Sequence, residues 1–94
     1  MASKKEKEKE NVERLARATG ILNGTADNPT TPRNIRKTVK DIAIALEDPE
    51  ESISVRAANA ISTLDDLSQD PNMPSYVRVV LWQAVSVLES IRER

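Results

Sequence analysis

The sequence contains no cysteine, no histidine and no phenylalanine, and only one tryptophan and one tyrosine among its 94 residues. Without cysteine there is no disulfide framework and no thiol chemistry. Without histidine the usual zinc sites and the usual general base are missing. Without phenylalanine the core has to be built from Leu, Ile, Val and Ala. No run is long and apolar enough to span a membrane, and the charged start has no signal-peptide core behind it. These absences point to a soluble, cytoplasmic chain. Its length suits one domain that buries a modest core without covalent staples.

What is present is charge, and it is unevenly placed. The net charge of −1 hides a split between the two halves. Lys4, Lys5, Lys7, Lys9, Arg14, Arg17, Arg33, Arg36, Lys37 and Lys40 make the first forty residues basic, whereas from Asp41 onward acids outnumber arginines. Such a split marks either a surface for nucleic acid or another acidic partner, or two halves that complement each other on folding.

The longest apolar stretch is Ser75 to Ile91, which also holds Tyr76 and Trp82. At about 100° per residue, Val77, Val80, Leu81, Ala84, Leu88 and Ile91 share one stripe, with Val85 and Val87 at its edges. The stretch is too long for a typical strand, has no strand to pair with, and carries Pro74 where a first helical residue would stand. It is therefore read as the last of four helices. Val79, Trp82 and Ser86 lie opposite its apolar stripe.

The other helices follow in chain order. Residues 1–9 alternate in sign without an apolar face and read as either a charged, flexible tail or a solvated first turn, ahead of a single domain over residues 10–94. A first helix is expected from near Glu10, with Val12, Leu15, Ala16, Ala18, Thr19 and Leu22 inward and Asn23-Gly24 as a left-handed cap. A second starts with Thr31 as N-cap and Pro32 at its first position, buries Ile35, Val39, Ile42 and Leu46, and stops at Asp48-Pro49. A third starts near Ser52 or Ser54 and buries Val55, Ala57, Ala58, Ile61, Leu64 and Leu67.

Residues 13–48 laid over 55–90 show an internal repeat. Asn28-Pro29, Pro32, Ile35 and Arg36 fall on Asp70-Pro71, Pro74, Val77 and Arg78. Ala16, Ala18, Leu22, Leu46 and Glu47 meet Ala58, Ala60, Leu64, Leu88 and Glu89. Each half reads as an αα-hairpin. Two such hairpins are too few for a solenoid, so they are expected to close as an all-α four-helix bundle with approximate internal twofold symmetry.

Arg36, Arg56 and Arg78 each follow an apolar residue in the first turn after an Asn/Asp-Pro pair. A cation near a helix N-terminus opposes the helix dipole, so a partner is expected, with Asp48 and Asp70 the natural candidates in a loop-fixing role.

The outward lines of helices 2 and 4 differ in chemistry. Arg33, Arg36, Lys37 and Lys40 form a basic face on helix 2. Val79, Trp82 and Ser86 form an apolar one on helix 4, suited to a protein partner or a homodimer seam. The alternative for Trp82 is that a neighbouring segment covers it as extra core. The basic face suits RNA or a ribosome-associated role, although no aromatic interleaves with it to stack bases. Adjacent acids such as Asp65-Asp66 and Glu50-Glu51 point in different directions on a helix, and no nucleophile or phosphate-loop motif is present. The expectation is a non-enzymatic helical interaction module without cofactor, metal or small-molecule substrate.

With Pro32-Arg33-Asn34-Ile35-Arg36, Val55-Arg56-Ala57-Ala58-Asn59-Ala60-Ile61 and Asp70-Pro71-Asn72-Met73-Pro74 in view, the chain resembles a family of small, uncharacterised archaeal proteins. The likeness covers about Val12 to Ile91. It implies an archaeal, cytosolic four-helix bundle and carries no activity, ligand or site.

Overall fold

Three Asn/Asp-Pro pairs divide the chain. In each, the residue before proline is turned out of the helical region, and its side-chain oxygen accepts the amide two residues on. Asn28 Oδ1 takes Thr30 N at 2.9 Å, Asp48 Oδ1 takes Glu50 N at 2.9 Å and Asp70 Oδ1 takes Asn72 N at 2.8 Å. These Asx-turns separate four helices in a computed structural model that describes residues 4–91. The helices are α1 (Lys4–Asp27), α2 (Arg33–Leu46), α3 (Ile53–Leu67) and α4 (Ser75–Glu89). Among the described residues there is no strand. Each helix packs on its chain neighbours, α4 closes back on α1, and α1 reaches α3 across the diagonal while α2 and α4 do not meet. The architecture is an all-α four-helix bundle.

Four helix boundaries differ from expectation. α1 begins at Lys4 rather than near Glu10, so residues 4–9 of the expected tail are helix, and residues 1–3 lie outside the described part. Opposite charges three apart (Lys5/Glu8, Glu6/Lys9, Lys7/Glu10) support those turns. α1 also runs through Asn23-Gly24 to Asp27, and no described residue has a positive φ. The glycine cost of about 1 kcal/mol relative to alanine is offset because Thr25 is buried and Ala26 packs on the core. At α2 and α4 the prolines stand one residue earlier than expected, at the N-cap. Pro32 has ψ 142° and accepts Arg36 N at 2.9 Å, and Pro74 has ψ 146°. Thr31 is thus not the cap, and its hydroxyl is buried without a partner. α2 and α4 have no side-chain cap, whereas α3 has one in the expected style, Ser52 Oγ accepting Val55 N at 3.3 Å.

The inward stripes of α2 and α4 match the periodicity. Ile35, Val39, Ile42 and Leu46 are buried, as are Val77, Leu81, Ala84 and Leu88, with Ile91 just beyond. Val85 is buried as well, and Val80 is only half-buried. α1 and α3 are rotated from the expected phase. Val12 and Val55 are exposed, as are Ala16 and Ala58; Ala18, Thr19 and Leu22 on α1 and Ala57 and Leu64 on α3 are buried as expected, and Asn11 and Thr25 on α1 and Ala60 on α3 are buried beside them. Both helices lack large apolar residues at regular spacing, so packing rather than pattern sets which side turns in.

α1 has 24 residues, about 36 Å of helix at the standard rise, and makes the molecule long, 43 × 24 × 19 Å. Its Arg14 Nη1 donates to Ser90 O at 3.2 Å, so the turns of α1 before Asn11 extend past the end of α4.

Candidate functional site

α4 presents two faces of opposite meaning. Its inner stripe is core. On its outer side Trp82 is 70% and Val79 53% exposed, and Ser86 is exposed beside them. No flanking helix covers the indole, so the reading of Trp82 as extra core is set aside. Tyr76, 48% exposed, stands on the same helix with its hydroxyl bonded to Thr30 O at 2.7 Å. Both aromatic residues of the chain are therefore on the surface of α4, and the core contains none.

Beside Val79 and Trp82 a groove of about 480 Å³ runs between α3 and α4. Its floor includes Leu64, Leu81 and Val85, and Asp65 stands on its α3 side. Among the described residues the carboxylates of Asp65, Asp66 and Glu89 make no hydrogen bond or ion pair. Two smaller grooves, of about 430 and 310 Å³, follow the α2/α3 and α1/α4 seams. The latter is bordered by Gly20 and Gly24, where an added Cβ would meet nothing within 4 Å.

The expected basic face is reduced. Arg33, Lys37 and Lys40 are exposed, and Lys40 Nζ donates to Asn23 Oδ1 at 3.2 Å. Arg36 is half-buried, and its Nε is out of contact with solvent and with any acceptor. In line with Lys37 and Lys40 stands Ile44, 60% exposed. Sequence reasoning passed over Ile44. The signal was available, since it lies seven residues from Lys37 and roughly opposite the Ile35/Val39/Ile42/Leu46 stripe.

The remaining arginines find partners other than the aspartate side chains. Arg56 Nη1 donates to Leu46 O at 2.9 Å, and Arg78 donates through Nε to Ser68 O at 3.1 Å and through Nη2 to the main-chain oxygen of Asp70 at 3.4 Å. Leu46 and Ser68 lie at the C-terminal ends of α2 and α3. Each guanidinium, unfavourable at the start of its own helix, thus sits at the negative end of the preceding one, where carbonyls lack helical partners. Asp48 and Asp70 use their carboxylates for the Asx-turns, and Asp70 Oδ2 also accepts Asn34 Nδ2 at 3.3 Å.

No group of three or more acidic or other metal-ligating side chains gathers among the described residues. No described helix is long and apolar enough to cross a membrane.

Comparison with known proteins agrees with this geometry. The model of an uncharacterised protein family, UPF0147, matches residues 2–91. A UPF0147 protein of Metallosphaera sedula is 44% identical over 84 residues, covering 89% of this chain and 94% of the relative. Two crystal structures are similar. One is of a protein from the uncharacterised family UPF0147 of Thermoplasma acidophilum, with TM-score 0.83 and 28% identity over 89% of this chain and 99% of that one. The other is of a protein of unknown function, MMP1188, with TM-score 0.82 and 40% identity over 86% of this chain and 92% of that one.

Proposed function

The chain belongs to the uncharacterised protein family UPF0147, and we propose that it works there as a small, non-enzymatic, cytoplasmic interaction module whose contact surface is the outer face of α4, Val79, Trp82 and Ser86. One observation carries this reading: the only tryptophan is 70% exposed beside an apolar groove, in a chain whose core has no aromatic at all. A Trp side chain buries 150–250 Å² when covered, and leaving it in water forgoes roughly 25 cal/mol for each of those square ångströms. Exposed aromatics in such settings mark contact surfaces, where Trp is over-represented among the residues that dominate binding. Ser86, small and on the same line, allows a partner helix to come close.

The three first-turn arginines belong to the scaffold in this reading. Arg56, through Nη1, and Arg78, through Nε, each hold a helix start to a carbonyl oxygen at the end of the helix before it. An RNA- or ribosome-associated role for the basic face is the weaker reading. Arg36 is drawn inward, leaving Arg33, Lys37 and Lys40, and no aromatic stands among them for base stacking.

The test is Trp82→Glu in a pull-down from native lysate, with and without nuclease. The expected result is loss of the captured protein at unchanged thermal stability, with no effect of nuclease. Capture that survives Trp82→Glu and disappears with nuclease or with charge reversal at Arg33 and Lys37 overturns it in favour of nucleic acid.

A further inference from the structure

The exposed line of α4 consists of Ser75, Arg78, Val79, Trp82, Ser86 and Glu89. Spaced by three or four residues, they share one face within about 100° of helical rotation. Along that face size and charge are antisymmetric. Trp82 and Ser86 lie equally far from Ala84 on its two sides, one large and one small. Arg78 and Glu89, nearly equidistant from the same point, carry opposite charges. Neither has a counter-ion among the described residues: Arg78 donates to the main-chain oxygens of Ser68 and Asp70, and the carboxylate of Glu89 has no hydrogen bond or ion pair. Each also opposes the dipole of its own helix, a cation in the first turn and an acid at the last residue. The groove beside this face carries both signs on its rim, Asp65 from α3 and Arg78 from α4. A uniformly charged partner, nucleic acid included, is repelled by one of the two. A helix with the same charges in reverse order satisfies Arg78 and Glu89 together, and another copy of α4 laid antiparallel is such a helix.

We propose that the Trp82 face is the seam of a symmetric homodimer, in which α4 packs antiparallel on α4 of a second copy about a twofold axis at the level of Ala84. The inference rests on the reading of this face as an interface and adds the identity of the partner. The rotation sets Trp82 over the partner's Ser86 and Val79 level with the partner's Glu89, with Arg78 beside the same carboxylate. Two indoles thus fill the two gaps left by serines, the large-against-small fit of a close helix pair. Each misplaced charge comes to the end of the other helix that favours it, Arg78 to a C-terminus and Glu89 to an N-terminus. Like faces meet, so the contact is isologous and closes at two copies. The seam is one helix wide, at the small end of specific interfaces, so the dimer forms reversibly with concentration. Its exposed ion pairs fix direction more than they add affinity.

Sedimentation velocity of the full chain over a wide concentration range tests the stoichiometry. The wild type is expected to pass from monomer to dimer and no further. Trp82→Glu is expected to stay monomeric, with circular dichroism and thermal melting establishing that it is folded. Ser86→Trp, also at an exposed position, is expected to weaken the dimer, because two large rings then compete for one gap. A merely adhesive apolar patch would associate more strongly with a second tryptophan. Direction is read with cysteines, which the chain otherwise lacks. A mixture of Val79→Cys and Glu89→Cys is expected to oxidise to a disulfide-linked dimer with one chain of each. Neither variant alone is expected to cross-link, since its two cysteines are offset along the axis by about ten residues, or about 15 Å.

A wild type that stays monomeric throughout overturns the inference. So does growth past the dimer, an association that Ser86→Trp strengthens, or a Val79→Cys variant that cross-links to itself, as a parallel pairing requires. If the wild type never self-associates but Trp82→Glu still loses a different captured protein, the second copy is the wrong partner and the interface reading stands. If Trp82→Glu changes neither association nor capture, both fall.

Discussion

The same motif gives three arginines different surroundings, and the difference is measurable residue by residue. The Nε of both Arg36 and Arg56 is buried with nothing to bond, but Arg56 also lends Leu46 O a donor through Nη1 at 2.9 Å in a partly buried setting, and no side-chain hydrogen bond of Arg36 is formed among the described residues. A hydrogen bond involving a charged group contributes about 1.5–3 kcal/mol, and removing an unsatisfied polar atom costs little. Arg56→Met is therefore expected to lower the unfolding free energy by about 1–2 kcal/mol after allowance for partial exposure, and Arg36→Met to leave it unchanged or raise it. Urea denaturation of the two variants, compared at equal m-values, checks the contrast. Loss of stability in Arg36→Met equal to that in Arg56→Met would mean that the guanidinium of Arg36 is satisfied in solution. Exposure makes a parallel contrast on α4. Leu81 is buried, and Leu81→Ala is expected to cost about 2–5 kcal/mol, while Trp82→Glu, one residue away and 70% exposed, should cost almost nothing in the monomer.

At the scale of the element, α1 departs most from what its sequence suggests. Gly20 and Gly24 lie inside the helix with negative φ and open space where a Cβ would be. Glycine is there at a cost of roughly 0.5–1 kcal/mol per position relative to alanine. Gly20→Ala and Gly24→Ala are each expected to stabilise the monomer by about that amount, raising the melting temperature by roughly 4–8 °C per kcal/mol in a domain of this size. A fall in melting temperature on either substitution would show that the glycine adopts a left-handed conformation after all, as a cap at Asn23-Gly24 would require. The helix stops instead at Asn28-Pro29, where the Asx-turn and the proline act together. An Asn-Gly pair permits a stop, while an Asn-Pro pair whose side chain has captured the next free amide imposes one.

At the scale of the whole molecule, every buried position of α2 lies 42 residues before a buried position of α4: Ile35 and Val77, Val39 and Leu81, Ile42 and Ala84, Ala43 and Val85, Leu46 and Leu88. A duplicated hairpin would produce that pattern, and it predicts that the backbones of residues 13–48 and 55–90 superpose as hairpins. Helix pairs crossing at clearly different angles in the two halves would refute the duplication. Divergence after such a copying would also account for outer faces of unlike chemistry, since inward positions are held by packing density while outward ones are constrained only by what they touch.

The sequence by itself determined that there are four helices, that Asp-Pro pairs follow the ends of α2 and α3, and which sides of α2 and α4 turn in. In those helices large apolar side chains recur at the helical period, and burying any other side would leave Ile, Leu and Val in water. It also singled out Val79 and Trp82, because they break that period. Only the tertiary structure decided the phase of α1 and α3. Their small and polar inward residues, among them Asn11, Thr25 and Ala60, distinguish the two sides too weakly for pattern to choose, and close packing chooses for them. The partners of Arg56 and Arg78 were likewise decided by the fold, because an unpaired carbonyl at the end of a preceding helix is a property of backbone geometry and leaves no mark in the amino-acid letters.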